Sequence, residues 1–349
     1  MKQAYIIAEM AWGYTGDYKK SIQILNGVKE ARADAIGIHL TSLSDYMVED
    51  YKCIAGQTLS DSADENVSIY EYLDDINMSN DDWLRFGKAA SDLRVDLVVM
   101  CNDIPSFEFS KKLKVKKYVV SAAIFLERGL IQRMVEENND IVLRVGGAML
   151  TEIENVINFI FSIDSSAKIN LLAGIQLYPT PINQLHIASI KTLKNHFHNK
   201  NITFGLADHI DGDSINAIYL PALSLAFGVT TIEKHITIDR QDKLEDYEAA
   251  LGLNQFIKFV DFVRASEEAL GFGDIDYLTN DSYKKYRDVG RKKIVASRDL
   301  PKDYIVLESD LVFKRADYGE QIENMDMIIG KKLLKDLKKN EGLDKVNMI

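Results

Sequence analysis

The sequence predicts an α/β protein, a (β/α)8 TIM barrel followed by a small β-rich domain. Three observations carry this: eight short β-rich apolar runs, longer amphipathic runs between them, and a change of texture after residue 276. A parallel sheet with crossover helices alternates these two periods, and eight such units in about 270 residues close a barrel.

The β-rich runs fall at residues 5–8, 35–39, 96–100, 117–120, 141–145, 169–175, 202–207 and 231–235. Amphipathic stretches at 17–31, 81–92, 127–137, 151–161, 183–198 and 214–227 lie between them, and 253–270 follows the last. An open doubly wound sheet would carry a glycine-rich phosphate turn after an early strand, and neither G-x-G-x-x-G nor G-x-x-x-x-G-K occurs. One connection is long: residues 41–80 hold nine acidic residues with Lys52 as the single base, which reads as a lid or rim excursion. Residues 277–293 turn polar and charged and read as a linker between a barrel over 1–276 and a separate domain over 294–349. In that last part short β runs such as Ile294-Val295-Ala296 and Leu311-Val312-Phe313 alternate with turns.

With 46% hydrophobic and 27% charged residues the chain can fill a core and solvate its surface. Its 42 basic residues against 53 acidic ones give a net charge of −11, which opposes a phosphate-tracking surface and excludes nucleic acid as a partner. Cys53 and Cys101 are its two cysteines, with no C-x-x-C and no signal-peptide pattern at the start, so a reduced, cytoplasmic setting is expected. The uncharged stretches 169–190 and 214–232 approach membrane-span length, but both contain Pro with Asn, Gln, Ser or Thr. They suit buried strand-loop-helix units, and no membrane partner is expected.

Barrel active sites collect at the C-terminal ends of the strands. Glu9 ends the first strand, His39 the second and Arg144 the fifth, Asp208-His209 follow the seventh, and Glu233-Lys234-His235 close the eighth. Strands one, two, seven and eight are neighbours around a closed barrel, so these groups can converge. Two imidazoles plus a carboxylate can bind a divalent metal and leave positions for substrate oxygens. Taken singly, each histidine reads as a hydrogen-bonded core residue; two at adjacent strand ends leave the core and ligand readings evenly balanced. His39 shares strand parity with Gly37 and so faces the interior as a third potential ligand. His186, His196 and His198 fall on an expected helix and read as surface residues. Asp246, in the charged loop after strand eight, can supply an acid or base, and Tyr178 in Tyr178-Pro179-Thr180-Pro181 can stand over the mouth. A solvated loop and a plain turn are the bland alternatives.

At these residues the sequence resembles the sialic acid synthase family, whose members also make legionaminic, pseudaminic and related nonulosonic acids. The segments that carry the resemblance are Ile6-Ile7-Ala8-Glu9, Ser68-Ile69-Tyr70-Glu71, Tyr178-Pro179-Thr180-Pro181, Gly205-Leu206-Ala207-Asp208-His209, the run from Ile232 to Arg240, and Lys314-Arg315. They follow the family's order over nearly the whole chain. The resemblance implies a TIM barrel with a C-terminal antifreeze-like, or SAF, domain from Ile294. It implies condensation of phosphoenolpyruvate with an N-acylated sugar aldehyde, assisted by a divalent metal, Mn or Mg or else Zn, with phosphate released after water attacks C2. By the same resemblance His209 and His235 are metal ligands, Glu9 acts beside the metal, Asp246 binds the sugar near its reacting end and Tyr178 lines the phosphoenolpyruvate pocket. Arg315 would reach from one subunit's tail into its partner's barrel, which implies a domain-swapped homodimer.

The departures concentrate on the donor side. The family's strand-two and strand-four lysines fall at Gly37 and Val119, its strand-three threonine at Cys101 and its strand-seven serine at Ala207. A glycine-serine-glycine-glutamate run becomes Ser121-Ala122-Ala123-Ile124, and an asparagine becomes Gln176 at a substrate-binding position. Arg144 and Lys234 are the cations available to rebuild that side. Three readings follow: a condensing enzyme with a remodelled donor pocket, a metal-dependent aldolase or lyase using pyruvate or another keto acid, and a non-catalytic sugar-binding paralogue.

Overall fold

The computed structural model describes residues 3–51, 68–271, 280–317, 320, 322, 324–344 and 348–349, so Cys53 and the middle of the 41–80 excursion lie outside the described residues. The chain forms two compact units, Met1–Gly271 and Phe272–Ile349.

The first unit is a closed parallel barrel. Its strands are β1 (Tyr5–Glu9), β2 (Ala35–Leu40), β3 (Asp96–Cys101), β4 (Val115–Val120), β5 (Asp140–Arg144), β6 (Lys168–Ala173), β7 (Ile202–Asp208) and β8 (Thr231–Thr237). They are hydrogen-bonded in sequence order and β1 pairs with β8, so the ring has no free edge. A two-residue strand, β9 (Leu251–Gly252), pairs in parallel beside the last residues of β8. The helices are α1 (Tyr18–Glu30), α2 (Leu43–Tyr46), α3 (Ile69–Asp75), α4 (Asn80–Leu93), α5 (Ile104–Ser110), α6 (Arg128–Glu137), α7 (Leu150–Ile163), α8 (Ser189–His196), α9 (Asn216–Tyr219) and α10 (Leu253–Leu270).

Strand alternation sorts the side chains. Ile7, Ala35, Val98, Met100, Val119, Val142, Leu172 and Ala207 point inward as one apolar plug, to which β8 contributes nothing. The outward residues join the helices in a much larger core that includes Ile6, Ile38, Val99, Leu143 and Ile232. Beneath the plug lies a polar end: the Tyr5 hydroxyl donates to Asp96 at 2.9 Å, Lys117 to Asp140 at 2.5 Å and Asn170 to Thr203 at 2.8 Å. Polar chemistry is thus left to the opposite, C-terminal mouth.

Local signals set the helix ends. Asp17 caps α1 by accepting from Lys19 N, and Ser79 caps α4 by accepting from Asp82 N. Within the long excursion, Ser68 and Glu71 close a capping box at the start of α3. Helix α5 is an addition to the expected set; its seven residues make about two turns, with Pro105 in the first turn and Asp103 as its cap. The stretch 214–227 is one turn of α9 followed by a 3-10 segment, Leu220–Phe227, because Pro221 has no N–H to continue an α-helix. The stretch 183–198 opens in a 3-10 turn, Ile182–Gln184, and becomes α-helical only at Ser189, after a break in which His186 takes φ 42°. His186, His196 and His198 are exposed, as expected.

In the second unit, helix α11 (Asp281–Gly290) occupies most of the stretch read as a linker. It precedes an antiparallel pair, β10 (Lys293–Ala296) with β11 (Leu311–Lys314). Ile294, Ala296, Leu300, Val306, Ile328, Leu333, Leu337 and Leu343 make a core of its own. A barrel plus a small C-terminal β-rich unit is the predicted fold class. No helix among the described residues is long and apolar enough to cross a membrane.

Candidate active site at the barrel mouth

The strand ends converge as their parity dictates. Glu9 lies opposite Gly37 of β2 and opposite His235 of β8 in the sheet register. Glu9, Arg144 and Glu233 are all buried and form one cluster. The Arg144 guanidinium pairs with Glu9 through Nη2, and donates to Glu233 Oε2 from Nη2 at 2.8 Å and from Nε at 3.2 Å. The other Glu9 oxygen accepts from Ala11 N at 2.8 Å. Burial acts against the guanidinium's charge, and the carboxylates of Glu233 and Glu9 more than offset it, so Arg144 stays protonated. Burial also pushes the Glu233 carboxyl well up from the usual range, only partly countered by Arg144.

Glu9 reaches Arg144 by leaning across Gly37. A Cβ at residue 37 would sit 2.4 Å from Glu9 Oε2, so the absence of a side chain there makes room for the pair. Gly37→Ala is therefore expected to displace Glu9 and lower stability by about 1–3 kcal/mol, read as a drop in the thermal midpoint. An unchanged midpoint would show that Glu9 rotates away freely.

His209 and His235 stand face to edge, with ring centroids 5.3 Å apart. His209 Nδ1 bonds the Ile175 carbonyl at 2.8 Å; as donor there, it leaves Nε2 as the lone-pair nitrogen. Burial lowers the His209 pKa to about 3 and, together with the charges of His209 and Arg144, holds His235 far below its ordinary value. Both rings are neutral at physiological pH, the form that ligates metals. The Tyr178 ring packs on both, at 4.3 Å from His209 and 5.5 Å from His235, and its hydroxyl donates to Gln176 at 2.7 Å. Burial and the charge of Asp246 raise the Tyr178 pKa, so the phenol keeps its proton.

Two imidazoles with free lone pairs fit a divalent ion whose remaining positions go to water or substrate oxygens. Among the described residues no group of three or more His, Cys, Asp or Glu side chains could hold a metal. His39 also stands at the mouth: its Nε2 lies 3.8 Å from Glu9 Oε1 with no hydrogen-bond partner, and its ring meets Trp12 edge-on. Burial lowers its pKa to about 4.

Asp246 takes φ 62° and is half-buried. Loss of hydration, then the charges of Glu245, Glu9 and Glu248, push its carboxyl up to about 8. Arg315, at the end of β11 in the second unit, is exposed and donates to the Gly290 carbonyl at 3.3 Å.

Lys234 and Asp208 do not face the mouth. The buried Lys234 ammonium donates to Asp208 Oδ2 at 2.8 Å and to the Ile210 carbonyl at 2.9 Å, tying together the residues on either side of His209. Lys234 is therefore unavailable to rebuild a donor site, because strand parity turns it away from His235 and Glu233. Glu233, named from sequence among the residues that close strand eight but given no role there, joins the site because its two-residue spacing from His235 puts both on the same face of the strand.

Beside these groups a cavity of 580 Å³ opens between the ends of β2 and β6, lined by Trp12, His39, Met100, Ser121, Arg144 and Tyr178 among others.

The pseudaminic acid synthase of Campylobacter jejuni is 26% identical to this chain over 356 residues, covering 98% of it and 96% of that protein. The N,N'-diacetyllegionaminic acid synthase of Legionella pneumophila is 24% identical over 337 residues, covering 95% and 91%. The crystal structure of the N-acetylneuraminic acid synthetase from Leptospira borgpetersenii, in complex with citrate, matches the fold with a TM-score of 0.69 at 20% identity, over 82% of this chain and 92% of that one. The sequence profile of the NeuB family matches residues 24–275, from within α1 to beyond α10 and so across the whole set of strand ends from β2 to β8. The chain belongs to the NeuB family.

Proposed function

We propose that the chain catalyses an aldol-type condensation that joins a three-carbon donor to the aldehyde of an N-acylated sugar in nonulosonic acid biosynthesis. Phosphoenolpyruvate is the donor in the first reading. Membership of the NeuB family supports the reaction type and the sugar and keto-acid substrate classes. The observation that carries the reading is the pair of neutral imidazoles, His209 and His235, set beside a buried carboxylate cluster at the barrel mouth.

His209 and His235 would hold the divalent metal, Mn or Mg or else Zn, which when bound supplies Lewis acidity toward the aldehyde oxygen. Arg144 orients the donor's carboxylate. Asp246, protonated at neutral pH, gives its proton to the aldehyde oxygen as the carbon–carbon bond forms. Glu9 acts beside the imidazoles and accepts the proton of the water that adds at C2 as phosphate leaves; with a keto-acid donor the proton it accepts comes from C3 instead. Tyr178, packed on both rings, closes the donor side, with Gln176 fixing its hydroxyl. Arg315 holds the N-acyl group from the partner's tail in a swapped, cytoplasmic homodimer.

A second reading, in which pyruvate or another keto acid is the donor, is favoured by one observation. Arg144 is the only Lys or Arg among the described residues that line the cavity.

The test is product formation. The Mn-loaded protein is supplied with either donor and a panel of N-acylated hexosamines, and a condensed keto-deoxy acid is sought by mass spectrometry; no product from either donor would overturn the reading. The pH profile gives a second check. With its pKa raised to about 8, Asp246 holds its proton at neutral pH and releases it as pH rises through that value. Turnover should fall about tenfold per pH unit above 8, and Asp246→Asn should be slow at every pH. A rate that climbs through pH 9 would remove Asp246 as the acid.

A further inference from the structure

The loop that carries Asp246 leaves β8 and returns to it. Leu251 and Gly252 of β9 pair with Ile236 and Thr237, and Leu253 N donates to the Ile238 carbonyl, so residues 239–250 form a closed excursion beside His235. We infer that Arg240 is the positioning residue of the acid: its guanidinium fixes this loop, and with it Asp246, against the turn that follows His209. The inference rests on the condensing reading above for the role of Asp246, while the placement is the same for any donor or acceptor.

Three observations carry it. First, the Arg240 side chain is 10% exposed and its whole fork is engaged. Nη1 donates to the Tyr247 and Ala250 carbonyls, Nε donates to Asp213 Oδ1 at 3.0 Å, and Nη2 lies 3.6 Å from Asp211 Oδ1. Tyr247 directly follows Asp246, and Asp211 and Asp213 belong to the turn just after His209. A planar fork holds two carbonyls and a carboxylate at fixed angles, which a point charge does not.

Second, the two segments meet backbone to backbone. Gly212 N donates to the Glu248 carbonyl at 2.8 Å, and a Cβ on residue 212 would stand 2.0 Å from the Ala250 carbonyl and 2.1 Å from Arg240 Nη1. Third, the loop needs holding. Lys243 and Asp246 take φ 45° and 62°, left-handed conformations that a non-glycine residue keeps only where its surroundings enforce them. The Tyr72 hydroxyl of α3 donates to Glu245, so the residues on either side of Asp246 are both anchored.

The consequence is chemical. Asp246 keeps its proton because its carboxyl is withheld from water; Glu245 and Glu248 on the loop and Glu9 on β1 add to this, and Arg144 on β5 opposes it. Tyr178 faces it from the loop after β6 as a neutral phenol. An ion on the two imidazoles adds a positive charge in parent and variants alike. Removing the Arg240 charge can by itself only raise the Asp246 pKa, whereas releasing the loop hydrates the carboxyl and lowers it. The two effects have opposite signs, and an experiment can tell them apart.

The experiment titrates the carbon-13-labelled carboxyl of Asp246 by NMR in the full chain, with and without Mg2+, the signal being assigned by its loss in Asp246→Asn. In Arg240→Gln and Arg240→Lys the carboxyl is expected to titrate at least about one pH unit below the parent, and turnover to fall about tenfold. Arg264→Gln is the control for lost stability, since that guanidinium holds the Ala4 carbonyl and Asp34 at the other end of the barrel. It should melt lower while Asp246 titrates as in the parent. Arg240→Lys, the milder change, gives the answer should Arg240→Gln fail to fold. An unchanged or raised Asp246 pKa in a folded Arg240 variant would overturn the inference, and so would an equal fall in Arg264→Gln. A lowered pKa in a protein that condenses nothing across the acceptor panel would support the positioning and count against the condensing reading.

Discussion

Arg144→Met is expected to lower the stability of the barrel by about 3–5 kcal/mol, a loss large enough to threaten folding at growth temperature. The methionine would fill the volume, but Glu9 and Glu233 would remain, both 1% exposed and both without their cation. Removing one member of a buried ionic set costs far more than removing the set, because the remaining charge keeps its desolvation penalty. Arg144→Met combined with Glu233→Gln should therefore recover part of the loss. Urea melts of the two variants against the parent would measure it. If Arg144→Met melts within about 0.5 kcal/mol of the parent, the carboxylates find water or protons when the arginine leaves, and the cluster does not organise the mouth.

His235→Ala is expected to abolish Mn binding and to slow condensation by about a thousandfold. Losing one of two imidazoles removes half of the protein's nitrogen donors, and no third side chain of suitable type stands by among the described residues. His196→Ala is the control, since that residue sits on the surface against Glu154. Calorimetric titration with Mn separates the two effects: intact Mn binding in His235→Ala would mean that the ion, if used, is held elsewhere.

The barrel was legible because its strands are simple text. Each of the eight is a short apolar run flanked by turns, and burial on both faces left little for tertiary context to alter. Helices were less legible where the chain departs from the α period: α5 is too short to show periodicity, and Pro221 hides a 3-10 segment inside an apolar run that reads as one helix. The site was visible to the extent that strand ends can be counted. Position along a strand placed Glu9, His209 and His235 together, but which neighbour a side chain takes is a three-dimensional matter. Sequence alone gave no means of seeing that Glu9 would cross Gly37 to reach Arg144, or that Lys234 would turn outward to Asp208. The likeness to characterised enzymes supplied roles for residues that spacing had only brought into reach.

The pairing of β1 with β8 reaches beyond architecture. Glu9 and His235 face each other across the seam where the ring joins, so the mouth is assembled from the chain's first strand and its eighth. Contacts between remote segments form after the intervening chain has paid its closure entropy, which places completion of the site at the end of folding. A ligand that recognises only the finished ring then shifts the folding equilibrium, by about 2.7 kcal/mol at a hundredfold excess over its dissociation constant. Saturating the mouth would act as a clasp on the seam, and the same opening that unzips β1 would erase the site before the rest of the barrel comes apart.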